Sequence, residues 1–230
     1  MMSLKEFEQT IGIKFKDEGL LKQAFIHRSY LNEARETRSS NERLEFLGDA
    51  VLELLTSQFL YQKYPDYPEG TLTNIRSALV KTESLATVAK NLRIGELLFL
   101  SRGEEDSGGR ENQSLLADGL EALLGAIYLD QGLTAAKGIL EKYLFPKTQE
   151  IVETKAFIDY KSLLQEIIQE DSRISPTYRV AKSEGPDHAK TFWVEAVAGE
   201  KLLGSGYGRS KQEAEQAAAA DSLEKLGKIS

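Results

Sequence analysis

From Leu4 to about Val152 the apolar residues of this 230-residue chain recur at helical spacing, and beyond residue 158 that spacing gives way to alternation. Leu44, Leu47, Val51, Leu54 and Leu55 form one such stripe, and Leu116, Leu120, Leu123, Leu124 and Ile127 another. Breaks are signalled at Pro65-Asp66-Tyr67-Pro68-Glu69-Gly70 and at Ser107-Gly108-Gly109-Arg110. Few segments there alternate with period two, so the first part is expected to be an all-α helical bundle. After a polar stretch near Glu150 to Ile158, residues Tyr160 to Glu170 again read as a helix. Three β-like runs follow, Thr177–Ser183, Lys190–Ala198 and Lys201–Tyr207, the last two separated by a tight turn at Gly199. Ser210 can cap a final helix to about Leu226, with Glu213 at capping-box spacing. The fold class expected is an all-α domain over residues 1–152, a linker over 153–157 and a small α+β domain of order α-β-β-β-α over 158–228.

Several function classes drop out early. The chain has no cysteine, which removes disulfides, zinc-thiolate sites and thiol nucleophiles and fits a reducing cytoplasm. No apolar run approaches the ~18–20 residues of a membrane span, and Met1 to Thr10 lacks the layout of a secretory signal. A cytoplasmic protein with no membrane partner is expected. The net charge is −7, with 19 basic and 24 acidic residues up to Ala156 and 10 and 12 after it. Neither part is basic, so any surface for a polyanion must be a local patch.

Two helical segments concentrate acids. In Asn41-Glu42-Arg43-Leu44-Glu45-Phe46-Leu47-Gly48-Asp49-Ala50, residues Glu42, Glu45 and Asp49 share one stripe at i, i+3, i+7. In Ala117-Asp118-Gly119-Leu120-Glu121-Ala122, residues Asp118 and Glu121 share a face. Exposed acids are usually relieved by Lys or Arg three or four residues away. Glu45, Asp49, Asp118 and Glu121 have none, and their segments are too apolar for free surface helices. Carboxylates gathered beside a core repel and lose hydration, so they need compensation. With His27 and His188 the sole histidines, hard oxygen ligands point to Mg²⁺, with Mn²⁺ able to substitute. Gly48 and Gly119 each abut an acid, which suggests a close helix–helix approach that brings the pairs together. A dimetal carboxylate oxidoreductase would use Glu-x-x-His pairs, whereas the second motif here is Asp-x-x-Glu. His27, in Phe25-Ile26-His27-Arg28-Ser29-Tyr30, has no triad-like neighbour and is expected to pack or cap. No Gly-rich nucleotide loop is present, and no organic cofactor is expected.

The ten residues from Asn41 to Ala50 resemble the signature of the ribonuclease III family, and the stretch holding Asp118 and Glu121 resembles that family's second acidic motif. The likeness continues through the C-terminal module. It implies an endonuclease of double-stranded RNA, with Glu45, Asp49, Asp118 and Glu121 as metal-binding acids and Asp49 and Glu121 the least dispensable. It further implies accessory roles for Glu42 and Glu69, and a homodimer in which Phe46 plugs into a socket on the other subunit. From the sequence alone, ordinary packing in its own core is the preferred reading of Phe46. Products with 5′-phosphate and 3′-hydroxyl ends and short 3′ overhangs, made from ribosomal RNA precursors and structured messages, are implied as well. A non-catalytic regulator that binds double-stranded RNA is the alternative to the enzyme.

The tail resembles a double-stranded-RNA-binding domain. Ser162, Gln165, Glu166 and Gln169 fall on one face of its first helix and can bond 2′-hydroxyls and base edges in a shallow minor groove. The loop Gly185-Pro186-Asp187-His188-Ala189-Lys190 matches a second minor-groove contact, through His188. Arg209, Ser210 and Lys211 open the last helix, where cations and free backbone N–H groups meet phosphates. Gln212 stands where relatives often carry another Lys, and Glu213 and Glu215 follow it, so weak, salt-sensitive binding by the isolated module is expected.

Overall fold

The computed structural model describes residues 2–34, 39–186 and 189–229. The chain divides into two compact units, Met1–Phe157 and Ile158–Ser230. Among the described residues no helix is long and apolar enough to cross a membrane.

The first unit is built from helices α1 (Leu4–Ile11), α2 (Glu18–Ala24), α3 (Glu42–Lys63), α4 (Glu69–Val80), α5 (Thr82–Asn91), α6 (Arg102–Asp106), α7 (Gln113–Gln131), α8 (Leu133–Tyr143) and α9 (Lys147–Glu153). Several of its helix starts carry the polar caps that orphan N–H groups require. Ser3 and Glu6 form a reciprocal capping box on α1, Asp17 caps α2 and Asn112 caps α7. Pro65 and Pro68 end α3 and start α4, so the break expected through Gly70 stops at Pro68, and Glu69 and Gly70 already lie in α4. Proline fits this start because its missing N–H is unsatisfied there anyway.

Helix α7 runs through the middle. Leu116, Leu120, Leu123, Leu124 and Ile127 are all buried, as are Leu44, Val51, Leu52 and Leu55 of α3. Two members of the expected α3 stripe depart from it: Leu47 is only half-buried, and Leu54 is exposed. The apolar face of α3 is therefore wider than the core it covers.

The second unit places α10 (Tyr160–Ser172) and α11 (Lys211–Lys225) against a sheet of β1 (Thr177–Glu184), β2 (Thr191–Ala198) and β3 (Lys201–Gly208). The strands are antiparallel in the order β1-β2-β3, with bulges between Val180 and Lys182 and between Ala196 and Val197. Gly199 turns the last hairpin with φ +59°. A separate core forms from Leu164, Ile168, Val194, Ala196, Leu203, Ala214, Ala218, Ala219 and Leu223. Side chains at Gly204, Gly206 and Gly208 would collide with Ser222, Ala218 and Glu213 of α11. Three glycines on one strand face and the alanine block of α11 thus let helix and strand lie almost backbone to backbone.

Candidate metal centre and RNA-binding face

The acid centre begins with how closely α3 and α7 approach. A Cβ at Gly48 would overlap the carbonyl oxygen of Glu121, and one at Gly125 would overlap that of Leu44. The expectation for Gly48 therefore holds. Gly119 differs: it faces Ile94 and Leu98 instead of α3. The second glycine of the crossing is Gly125, four residues past Glu121 and hence on the same helix face. That spacing was available in the sequence.

This crossing brings Glu45 of α3 beside Asp118 and Glu121 of α7. One carboxylate oxygen of each lies within 4.8 Å of the others, and all three side chains are half-buried. Asp49, expected as the fourth member, is exposed on α3 and lies outside this trio, yet its charge is the strongest of the like charges acting on Glu121. Among the described residues no Lys or Arg pairs with any of the four. Burial, then repulsion from Asp49, Asp118, Glu45 and Glu53, pushes the Glu121 carboxyl up to about 8. Burial raises Glu45 as well, helped by Asp118, Glu42 and Asp49. Asp118 is raised by burial, with His27 opposing.

His27 caps the 3-10 turn Arg28–Asn32, its Nδ1 2.9 Å from Ser29 Oγ. Its influence on Asp118, 91 positions away, had no local signal in the sequence.

These shifts have a consequence for stability. Because Glu121 binds its proton more tightly folded than unfolded, the metal-free chain should lose stability as pH rises from about 4.5 to about 8. Melting without divalent ions should drop by about 5 °C or more between pH 5.5 and 8.5. Glu121→Gln or added Mg²⁺ should flatten that slope. An equal slope in all three samples would place the titration elsewhere.

The other acids are less engaged with the trio. Glu42 is exposed, accepts from Ser40 Oγ at 2.8 Å and lies 3.9 Å from Arg28. Glu69 accepts from Thr73 Oγ1 at 3.1 Å and lines a groove of about 640 Å³ with Leu54, Tyr61, Leu72 and Arg76. Phe46 is 80% exposed, which overturns the reading that it packs in its own core. Leu54 and Tyr61, also exposed, continue α3's apolar outer surface.

In the second unit Ser162, Gln165, Glu166 and Gln169 line one shallow depression of about 420 Å³ with Glu170. Ser162 Oγ donates to Asp159 at 2.7 Å and Gln169 Nε2 to Ser175 Oγ at 2.9 Å, so both are already engaged locally. Ser210 Oγ accepts from the Glu213 N–H at 3.1 Å, and the Glu213 carboxylate accepts from the Arg209 N–H at 2.8 Å. The capping box thus closes one residue early, on Arg209. Arg209 and Lys211 are exposed beside these bonds. His188 lies outside the described residues.

The first unit gathers three carboxylates where two helices cross, and the second is an α-β-β-β-α module. Residues 17–148 match a family model described as ribonuclease-III-like, and residues 160–226 match that of the double-stranded RNA binding motif. Ribonuclease 3 of Bacillus cereus (strain AH187) is 49% identical over 225 residues, covering 97% of this chain and 91% of that protein. Ribonuclease 3 of Bacillus anthracis (strain CDC 684 / NRRL 3495) gives the same figures. The nuclease domain of Campylobacter jejuni ribonuclease III, in a structure concerned with flexibility in its dimer-forming region, is 40% identical. It superposes with a TM-score of 0.59 over 63% of this chain and 97% of that one. The chain belongs to the ribonuclease III family, and it is an endoribonuclease of double-stranded RNA.

Proposed function

We propose that the trio Glu45, Asp118 and Glu121, with Asp49 beside it, holds Mg²⁺ and cuts both strands of an RNA duplex. The observation that carries this reading is three half-buried carboxylates within 4.8 Å of one another, with no Lys or Arg among the described residues paired to any of them. Such a donor set suits a hard divalent cation: burial raises all three carboxyls, and at Glu45 and Glu121 repulsion from neighbouring carboxylates adds to it, both of which a cation would offset. When bound, the ion would supply Lewis acidity toward the phosphodiester and ease deprotonation of the attacking water.

The chain's own groups do the rest. Gly48 and Gly125 fix the distance between the two carboxylate-bearing helices, so the ligands are held before any ion arrives. Asp49, exposed at the rim, is free to face the RNA backbone and orient water. Glu42 and Glu69 act as accessory acids. Phe46, with the apolar surface of α3, forms the contact of a homodimer, and two sites related by a two-fold axis leave short 3′ overhangs with 5′-phosphate and 3′-hydroxyl ends. Precursors of ribosomal RNA and structured messages in the cytoplasm are the substrates. Residues 1–152 form the catalytic and dimerisation domain, 153–157 the linker and 158–228 the RNA-binding domain.

Perfect duplex RNA incubated with the protein in Mg²⁺ should be cut to short duplexes, and EDTA should abolish the cutting. Cleavage that survives EDTA would sink the metal reading; binding without cleavage in Mg²⁺ would make the chain a passive duplex binder. The α10 depression, the β1–β2 loop with His188 and the start of α11 carry the RNA contacts. Duplex affinity of the uncleaving Glu121→Gln chain should fall roughly tenfold or more between 50 and 200 mM salt, as released counterions require. A flat salt profile would remove Arg209 and Lys211 as phosphate ligands.

A further inference from the structure

Glu53 is a fifth carboxylate beside the acid centre. It stands four residues past Asp49, one turn further along α3, and its charge is among those acting on Glu121. Unlike the four acids of the centre, it has a cation. Arg76 Nε, on α4, lies 2.9 Å from its carboxylate. Arg76 Nη1 also donates to Ser57 Oγ at 2.8 Å, and Ser57 Oγ donates to the Glu53 carbonyl oxygen at 2.7 Å. One guanidinium therefore grips two successive turns of α3, a task for which its rigid fork of donors is suited. Both side chains are about two-thirds buried, so the pair is screened less than an open surface bridge.

We propose that Arg76 is a positioning residue of the metal centre: by engaging Glu53 and offsetting its charge, it keeps a fifth carboxylate from joining the ligands. This inference rests on the divalent-ion reading above. A released Glu53 would leave a full negative charge one turn past Asp49, acting on Glu121, and a flexible carboxylate able to turn toward the ion. The ion would then bind more tightly but in a less productive set of ligands. Arg76 acts here through Glu53.

The test is a calorimetric titration of Mn²⁺ into the RNA-free, full-length chain, which needs no turnover. Arg76→Gln should tighten Mn²⁺ binding about fivefold or more, because the uncompensated charge of Glu53 lies one turn from Asp49 and acts on Glu121. Arg76→Lys, which keeps the charge, should stay within about twofold of the unsubstituted chain. Glu53→Gln alone should weaken binding several-fold, since it leaves Arg76 uncompensated beside the centre. The double variant should return to the original affinity while melting as low as Arg76→Gln, which separates charge from the lost clamp. Unchanged Mn²⁺ affinity in Arg76→Gln, or failure of the double variant to restore it, would overturn the proposal. An unsubstituted chain that takes up no Mn²⁺ would sink the metal reading itself, and this inference with it.

Discussion

Glu121→Gln should reduce cleavage of duplex RNA by at least about 10³-fold while leaving duplex binding within a few-fold of the original. The substitution keeps side-chain volume and removes one charge. That charge belongs to the acid with the largest upward shift of the three, at the point where burial and four other carboxylates meet. Several kcal/mol of transition-state stabilisation rest on a correctly held ion, and each 1.36 kcal/mol is tenfold in rate. Glu42→Gln provides the contrast. Glu42 is exposed and already engaged by Ser40 and Arg28, so its loss should cost about tenfold or less. Single-turnover cleavage of a labelled duplex, with binding followed separately, distinguishes the outcomes. A Glu121→Gln chain that cuts within tenfold of the original would remove Glu121 from the ligand set.

Gly48→Ala should destabilise the helical unit by about 3 kcal/mol or more, lowering Tm by roughly 6–12 °C, and should depress cleavage as well. The added methyl has no room: it would meet the backbone carbonyl of Glu121 and lie 3.0 Å from the Gly125 nitrogen. Backbone on the far side cannot swing away as a side-chain tip can, so α3 and α7 must separate. Separation draws Glu45 away from Asp118 and Glu121, and stability and activity fall together. Gly138→Ala is the control. Its Cβ would meet nothing within 4 Å on the exposed side of α8, and alanine there should be neutral or stabilise by up to about 1 kcal/mol. Equal melting points for the two variants would mean the crossing tolerates a wider gap than its geometry implies.

The limits of reading the chain without coordinates follow from what each signal measures. Helical periodicity reports which face is apolar, so the α7 stripe was legible to the residue. It does not report what covers that face, which is why Leu54 looked like core and is exposed. Phe46 could be read two ways for the same reason. Absent cations near four acids marked the centre, because compensation by i±3 and i±4 neighbours is a local property. Which acids converge is not local: Glu45, Asp118 and Glu121 meet, while Asp49 stays at the rim because it lies one turn further along α3. Glycine beside an acid points to the close crossing at Gly48 but not at Gly119, so adjacency alone does not find the crossing. Gly125 shares a helix face with Glu121 and makes the contact, whereas Gly119 points toward Ile94 and Leu98. In the second unit the strands were visible from alternation, yet the glycine row of β3 gained meaning only against the small residues of α11. The Arg76–Glu53 pair joins α3 to α4 across 23 positions, beyond the reach of any helical spacing rule.

Crystals grown with Mn²⁺ and examined by anomalous scattering address the carboxylate centre most directly. The expected result is an anomalous peak between α3 and α7, coordinated at roughly 2.1 Å by oxygens of Glu45, Asp118 and Glu121, with Asp49 at its edge. The contradicting result is millimolar Mn²⁺ ordered elsewhere or nowhere while those carboxylates keep their places.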